Sequence, residues 1–97
     1  MKLIRFWGGF MIKKYKIFFT PTCPKCPSVK QFMKEESGLK GVEVDASTED
    51  GFEEAIKHEV NSVPTIIFLN ADNVEMNRAS SIEEIKRILE NKSLSDI

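Results

Sequence analysis

KYKIFFTPTCPKCP, residues 14–27, is the stretch whose reading decides the fold. Lys14 to Thr20 is dense in aromatic and β-favouring side chains and stops at Pro21, so it reads as a strand buried on both faces. The chain's only two cysteines, Cys23 and Cys26, follow at once, and a helical pattern starts there. Cys26, Val29, Phe32 and Met33 recur on one face of that helix, with Lys30, Gln31, Lys34 and Glu35 on the other, and Gly38 is a natural stop.

Working outward, Gly41 to Asp45 (GVEVD) is a short alternating run and reads as a second strand. A second helix is expected from Glu49 to His58, capped by Thr48 or Ser47 and burying Phe52, Ala55 and Ile56. Thr65 to Leu69 (TIIFL) is continuously apolar, as a central strand covered on both faces is. Asn70-Ala71-Asp72-Asn73 is turn chemistry, after which Val74 to Arg78 returns as an antiparallel strand with Val74 and Met76 facing the core. A last helix is signalled by a capping box, Ser80 with Glu83, and by the stripe Ile82, Ile85, Ile88 and Leu89 ahead of the polar end Asn91 to Ile97. The order is β-α-β-α-β-β-α, an α/β fold with a mixed sheet between helices.

The chain has 97 residues, 41% hydrophobic and 30% charged, with a net charge of −1, which fits one domain able to bury a core unaided. Its 14 Lys and Arg are scattered among 15 acids, so no nucleic-acid partner is expected. No stretch approaches the roughly 18 apolar residues of a membrane span, so no membrane partner is expected either. Residues 1–13 lie outside the strand–helix pattern and are expected to form a frayed or loosely docked extension, with Met11 an alternative start and residues 93–97 a tail. The apolar run there is broken by Gly8-Gly9 and lacks a small-residue cleavage site, so a secretory signal is not expected. A cytoplasmic location follows as an expectation, and there a cysteine pair is more often catalytic than structural.

Two thiols separated by two residues close a loop too short to restrict the unfolded chain much, so CPKC favours redox or metal chemistry over stapling. With Cys23 at the cap of the first helix, its sulfur faces the free N–H groups of the first turn and the positive end of the dipole. That favours thiolate and makes Cys23 the nucleophile. Cys26, one turn on and more covered, then resolves the mixed disulfide. Pro24 fits the first helical position, whereas Pro27 is expected to distort the turn and to leave only the N–H groups of Lys25 and Cys26 as donors to the thiolate. Lys25 adds a positive charge within the motif. Forty residues after Cys23, Val63-Pro64-Thr65 leads into the buried strand, a place where a proline is permitted.

The strand ending in FFTPT, the CPKC at a helix start and the VPT before a buried strand together resemble the thioredoxin/glutaredoxin superfamily, in its small glutaredoxin-like thioredoxin form, over residues 14–92. The resemblance implies a minimal thioredoxin fold, four-stranded with three helices, and thiol-disulfide oxidoreductase activity. Cys23 attacks, Cys26 resolves, and Pro64, in a cis bond, lies beside them. Val63, Pro64 and Thr65, with Pro24 and Lys25, are the implied substrate-contacting residues. Partners are disulfide-containing proteins, a monomer is expected, no cofactor is held, and electrons come from an external thiol or flavin reductase.

Departures from the family patterns narrow the expectation. Thr22 stands where thioredoxins carry Trp, Pro24 replaces Gly, and Ile17 occupies the place of a buried acid, so deprotonating Cys26 needs water or another carboxylate. Thr20-Pro21-Thr22 and Arg78-Ala79-Ser80-Ser81 replace the segments with which glutaredoxins grip glutathione. A thioredoxin reductase-like donor is therefore expected over glutathione, with Lys25, Arg78 and the last helix's N-terminus as partial substitutes for that grip. Two other readings stay open: a redox-inactive adaptor, and a metal-binding module that shares four thiolates across a dimer. The lone His58 reads as a solvated helix residue and no metal ligand is assigned.

Overall fold

The computed structural model describes residues 12–94. The expected N-terminal extension, up to residue 11, and the last three residues of the expected tail lie outside the described residues. Seven elements follow in chain order: β1 (Lys14–Phe19), α1 (Cys26–Glu36), β2 (Lys40–Asp45), α2 (Glu49–Lys57), β3 (Thr65–Leu69), β4 (Glu75–Ala79) and α3 (Ile82–Leu94). The four strands form one sheet in the order β2-β1-β3-β4, with β1 parallel to β2 and the other neighbours antiparallel. This is a four-stranded, three-helix thioredoxin-like α/β fold.

The two faces of the sheet bury separate cores. Tyr15, Ile17, Ile66, Phe68 and Ala79 meet Val29 and Met33 of α1 and Ile85 and Ile88 of α3 on one face, joined by Ile12. Phe18, Val44, Ile67 and Leu69 meet Ala55 of α2 on the other. All five residues of β3 are buried, which is why TIIFL shows no alternation. Ile12 is buried and the Lys13 N–H donates to the Leu69 carbonyl at 2.8 Å, so the ordered strand geometry starts ahead of Lys14. β1 departs from the expected two-sided burial. Lys14 and Lys16 are half-buried, because α2 covers only part of its face, and Lys16 bonds Glu54 there.

Two expectations about side-chain direction and one about a helix cap are corrected. Phe52 and Ile56 are exposed, at 58% and 60%, because α2 lies down on its small residues instead. Gly51 is packed so closely that a Cβ would fall on the Asp45 carbonyl oxygen, and Ala55 follows one turn later on the same face. On the hairpin, Phe68 pairs with Asn77 but Leu69 pairs with Glu75, which makes Met76 the extra residue of a β-bulge. The strand starts at Glu75, Val74 is left in the turn, and both Val74 and Met76 are exposed while Ala79 enters the core. The capping box is one residue late. Ser81 Oγ accepts from the Glu84 N–H at 3.2 Å, and the Glu84 carboxylate returns to the Ser80 N–H at 2.6 Å, because Ser80 is spent leaving β4 after Ala79.

The remaining signals match. Thr48 caps α2 by accepting from the Gly51 N–H at 3.0 Å. Gly38, just past the end of α1, has φ +70°. Asn70 Oδ1 holds the hairpin turn by accepting from Asp72 and Val74, with Asn73 at φ +66°.

Candidate active site

β1 runs out at Phe19, the chain turns through Thr20 to Thr22, and the Cys23 N–H closes that turn on the Thr20 carbonyl at 3.2 Å. Helix α1 then starts at Cys26, not at the proline before it. Its N-cap is Lys25, at φ −92° and ψ −16°, with no side-chain cap. Cys23 is therefore not the cap, and Pro24 is not the first helical residue. By starting late, the helix puts Pro27 in its first turn, where a missing N–H breaks no bond, so the expected distortion is avoided. The cysteine at the helix N-terminus is Cys26.

The two sulfurs are at disulfide distance, with Cα atoms 5.5 Å apart. Cys23 is half-exposed on its turn while Cys26 is 1% exposed, covered as part of the buried face of α1. Pro24 and Lys25 are exposed between them.

The proline loop reaches the same end of the sheet through register. Phe18 pairs with Thr65 at the end of the antiparallel β1–β3 ladder, so the loop leading into Thr65 lies at the end of β1 from which the cysteine turn leaves. The Val63–Pro64 peptide bond is cis, Pro64 is buried, and Val63 is half-buried against the α2-side core. Thr65 is 5% exposed and its hydroxyl donates to the Ser62 carbonyl at 2.7 Å. That bond braces the loop and leaves Thr65 as wall rather than as a free substrate contact. Beside the loop a cleft of about 390 Å³ is lined by Glu59, Ser62, Thr65, Arg78, Ser80 and Glu84.

Two groups expected to receive an anionic ligand are already occupied. Arg78 Nε and Nη2 hold the Glu75 carboxylate at 2.8 and 2.9 Å, and its fork also donates to the carbonyls of His58 and Glu59. The bond to Arg78 keeps the Glu75 carboxyl below its ordinary value and raises the guanidinium. At the start of α3 the Glu84 carboxylate takes both the N–H and the hydroxyl of Ser80, which lowers its own pKa. His58 is half-buried instead of solvated: it closes α2, meets Phe18 edge-on at 5.8 Å and lies 3.8 Å from the Glu54 carboxylate. Among the described residues no group of three or more His, Cys, Asp or Glu side chains is gathered to hold a metal ion.

Sequence reasoning set Lys30 aside as solvent-facing, and the structure brings it back. Its ammonium lies 3.8 Å above the Phe19 ring and 3.5 Å from Glu43, which also takes Lys34 at 3.6 Å. Glu43 is paired in register with Ile17. The signal that could have found Lys30 is its spacing, one turn after Cys26.

The profile of the thioredoxin domain family matches residues 13–90. A probable thioredoxin of Archaeoglobus fulgidus is 31% identical over 55 residues, 54% of this chain and 60% of that relative, so the chain spans less than two thirds of it. Among solved structures, Fasciola hepatica thioredoxin superposes with TM-score 0.66 at 26% identity, covering 94% of this chain and 88% of that one. Thioredoxin 1 of Thermosipho africanus superposes with TM-score 0.67 at 22% identity, over 87% and 99%, a likeness of fold. With the cysteine pair and the cis-proline loop brought to one end of the sheet, and the family profile matching 13–90, the chain belongs to the thioredoxin domain family.

Proposed function

We propose that this protein reduces disulfides in other proteins by dithiol–disulfide exchange. The observation that carries the reading is the unequal burial of a cysteine pair held at disulfide distance: Cys23 is reachable and Cys26 is not. The Cys23 thiolate attacks one sulfur of the substrate disulfide, forming a mixed disulfide and releasing the other sulfur as a thiolate that takes a proton. The Cys26 thiolate then attacks Cys23 Sγ, the Cys23–substrate bond breaks, and the second substrate sulfur leaves reduced. Two electrons have passed to the substrate and Cys23–Cys26 is a disulfide, to be reopened by an external dithiol. Val63 offers its backbone to an extended substrate segment beside Cys23, with Pro24, Lys25 and Pro64 bordering that approach and Thr65 behind it.

A flavin-dependent reductase of the thioredoxin-reductase kind is the proposed electron donor. Support comes from Arg78 and the α3 N-terminus, which are held by Glu75 and Glu84 and so are not free to grip the carboxylates of glutathione. Insulin reduction with dithiothreitol tests the activity, and no acceleration over background favours an adaptor. Coupling to NADPH with thioredoxin reductase, against NADPH with glutathione and its reductase, tests the donor; turnover only with glutathione overturns it. Cys23→Ser should abolish turnover and Cys26→Ser should accumulate mixed disulfides on gels, whereas trapping in Cys23→Ser reverses the roles.

A further inference from the structure

Cys26 faces a difficulty that its burial creates. At 1% exposure its thiolate is poorly solvated, and burial raises a thiol's pKa, yet the resolving step needs the thiolate. Nothing acidic stands where Ile17 is buried. Among the described residues, the charged groups around this end of α1 are few. Lys25 is exposed on the active-site turn; Lys30 and Lys34 lie along α1; Glu43 and Asp45 come from β2. β1 from Ile17 to Phe19 and the whole of β3 carry no charge, and Glu84 of α3 is turned to Ser80.

Of these, Lys30 is singled out by geometry. It follows Cys26 by four residues, so the two side chains leave α1 on neighbouring positions about 5–6 Å apart. Helical side chains lean toward the N-terminus, which tilts Lys30 toward the turn that holds Cys26. The ammonium is held from two sides, over the ring of Phe19, where β1 hands over to the active-site turn, and against Glu43. It is a half-buried charge, its side chain 27% exposed, so solvent screens it less than it screens Lys25.

We propose that Lys30 is a positioning residue whose ammonium favours the Cys26 thiolate, and that Glu43, by holding that ammonium, sets how much of its field reaches the sulfur. The proposal rests on the dithiol reading above and names what replaces a buried acid in the resolving half-reaction. The proton leaves Cys26 for solvent; Lys30 keeps its own and acts only through charge. Lys30 and Glu43 therefore pull the Cys26 equilibrium in opposite directions.

The test is made in full-length Cys23→Ser protein, where Cys26 is the single thiol, by following the ultraviolet absorbance of its thiolate against pH. Lys30→Met should raise the midpoint by about one pH unit, a tenfold loss of thiolate at neutral pH. Glu43→Gln should lower it, and Lys30→Arg should leave it near the parent value. A midpoint unmoved by Lys30→Met, or moved the same way by Lys30→Met and Glu43→Gln, overturns the proposal. If Lys30→Met does not fold, Glu43→Gln decides alone: a lowered midpoint supports the proposal and an unmoved or raised one overturns it. The titration needs no turnover, so a failure of the oxidoreductase reading shows separately, as absent insulin reduction in the unmodified protein.

Discussion

Gly51 decides which face of α2 is buried. A Cβ there would fall on the carbonyl oxygen of Asp45, so the helix approaches the end of β2 at a distance that only glycine allows. Helix propensity alone favours Gly51→Ala by about 1 kcal/mol. Forcing a methyl against a backbone carbonyl costs about 1–3 kcal/mol, and the carbonyl cannot swing away as a flexible side chain could. Gly51→Ala is therefore expected to lower the urea midpoint in spite of its propensity. A raised midpoint would mean that α2 rests on β2 less closely. The same contact turns Phe52 outward, so Phe52→Ser should change stability by less than about 0.5 kcal/mol, as surface changes do. Met33→Ala, at a fully buried position, should cost about 2–5 kcal/mol. Comparable losses in the two variants would contradict the packing described.

At the scale of elements, the ends of the helices carry most of what pattern reading misplaced. Helix α2 finishes in a Schellman arrangement: the Glu59 N–H donates to the Ile56 carbonyl at 3.0 Å and the Val60 N–H to Ala55 at 2.8 Å. The residue in the left-handed position is Glu59, φ +57°, where glycine is usual. Glu59→Gly should therefore stabilise by about 0.5–1 kcal/mol, read by thermal unfolding, since the Arg78 bond uses only its carbonyl. Helix α1 makes the converse point. Its periodic face was legible in Cys26, Val29 and Met33, but its start was not, because Pro24 and Pro27 are both acceptable in a first turn and local chemistry does not choose between them. The hairpin was legible as a turn from Asn70 to Asn73. Its bulge at Met76 was not, since register depends on what β4 must bury, which is Ala79.

For the whole molecule, one long-range ion pair and one arginine fork, itself held by a local carboxylate, tie α2 to the sheet and link pH to stability. Glu54 bonds Lys16 across the α2–β1 contact, and Glu75 clamps the Arg78 fork that reaches the carbonyls of His58 and Glu59. Both carboxyls titrate below their ordinary value of 4.5, Glu54 chiefly through the Lys16 bond and Glu75 chiefly through Arg78. A depressed folded-state pKa contributes stability that is fully present above the unfolded value and is lost as pH falls through the folded one. Stability, read as the urea midpoint, should thus drop as pH goes below about 4.5, by at most about 1 kcal/mol per pair, since both carboxylates are more than a third exposed and screened. Glu54→Gln and Glu75→Gln together should flatten that acid limb. An unchanged limb would place the loss elsewhere.

What the sequence determined by itself was the set and order of elements, because periodicity, caps and turn residues are local properties of the chain, and KYKIFFT, TIIFL and the isoleucine stripe of α3 each carry theirs. It also located the chemistry, since only Cys23 and Cys26 can form a disulfide. Tertiary structure decided which of the two is reachable, and the starting point of α1 moved the helix N-terminus from Cys23 to Cys26. It decided too that Arg78 and Glu84 are spent on their own neighbours, and that Lys30, unremarkable on a helical wheel, is held between Phe19 and Glu43. The physical reason is common to all of these. Burial and pairing depend on residues brought near by β1–β2, β1–β3 and β3–β4 register, and a side chain's charge, exposure or freedom has no value until those neighbours are in place.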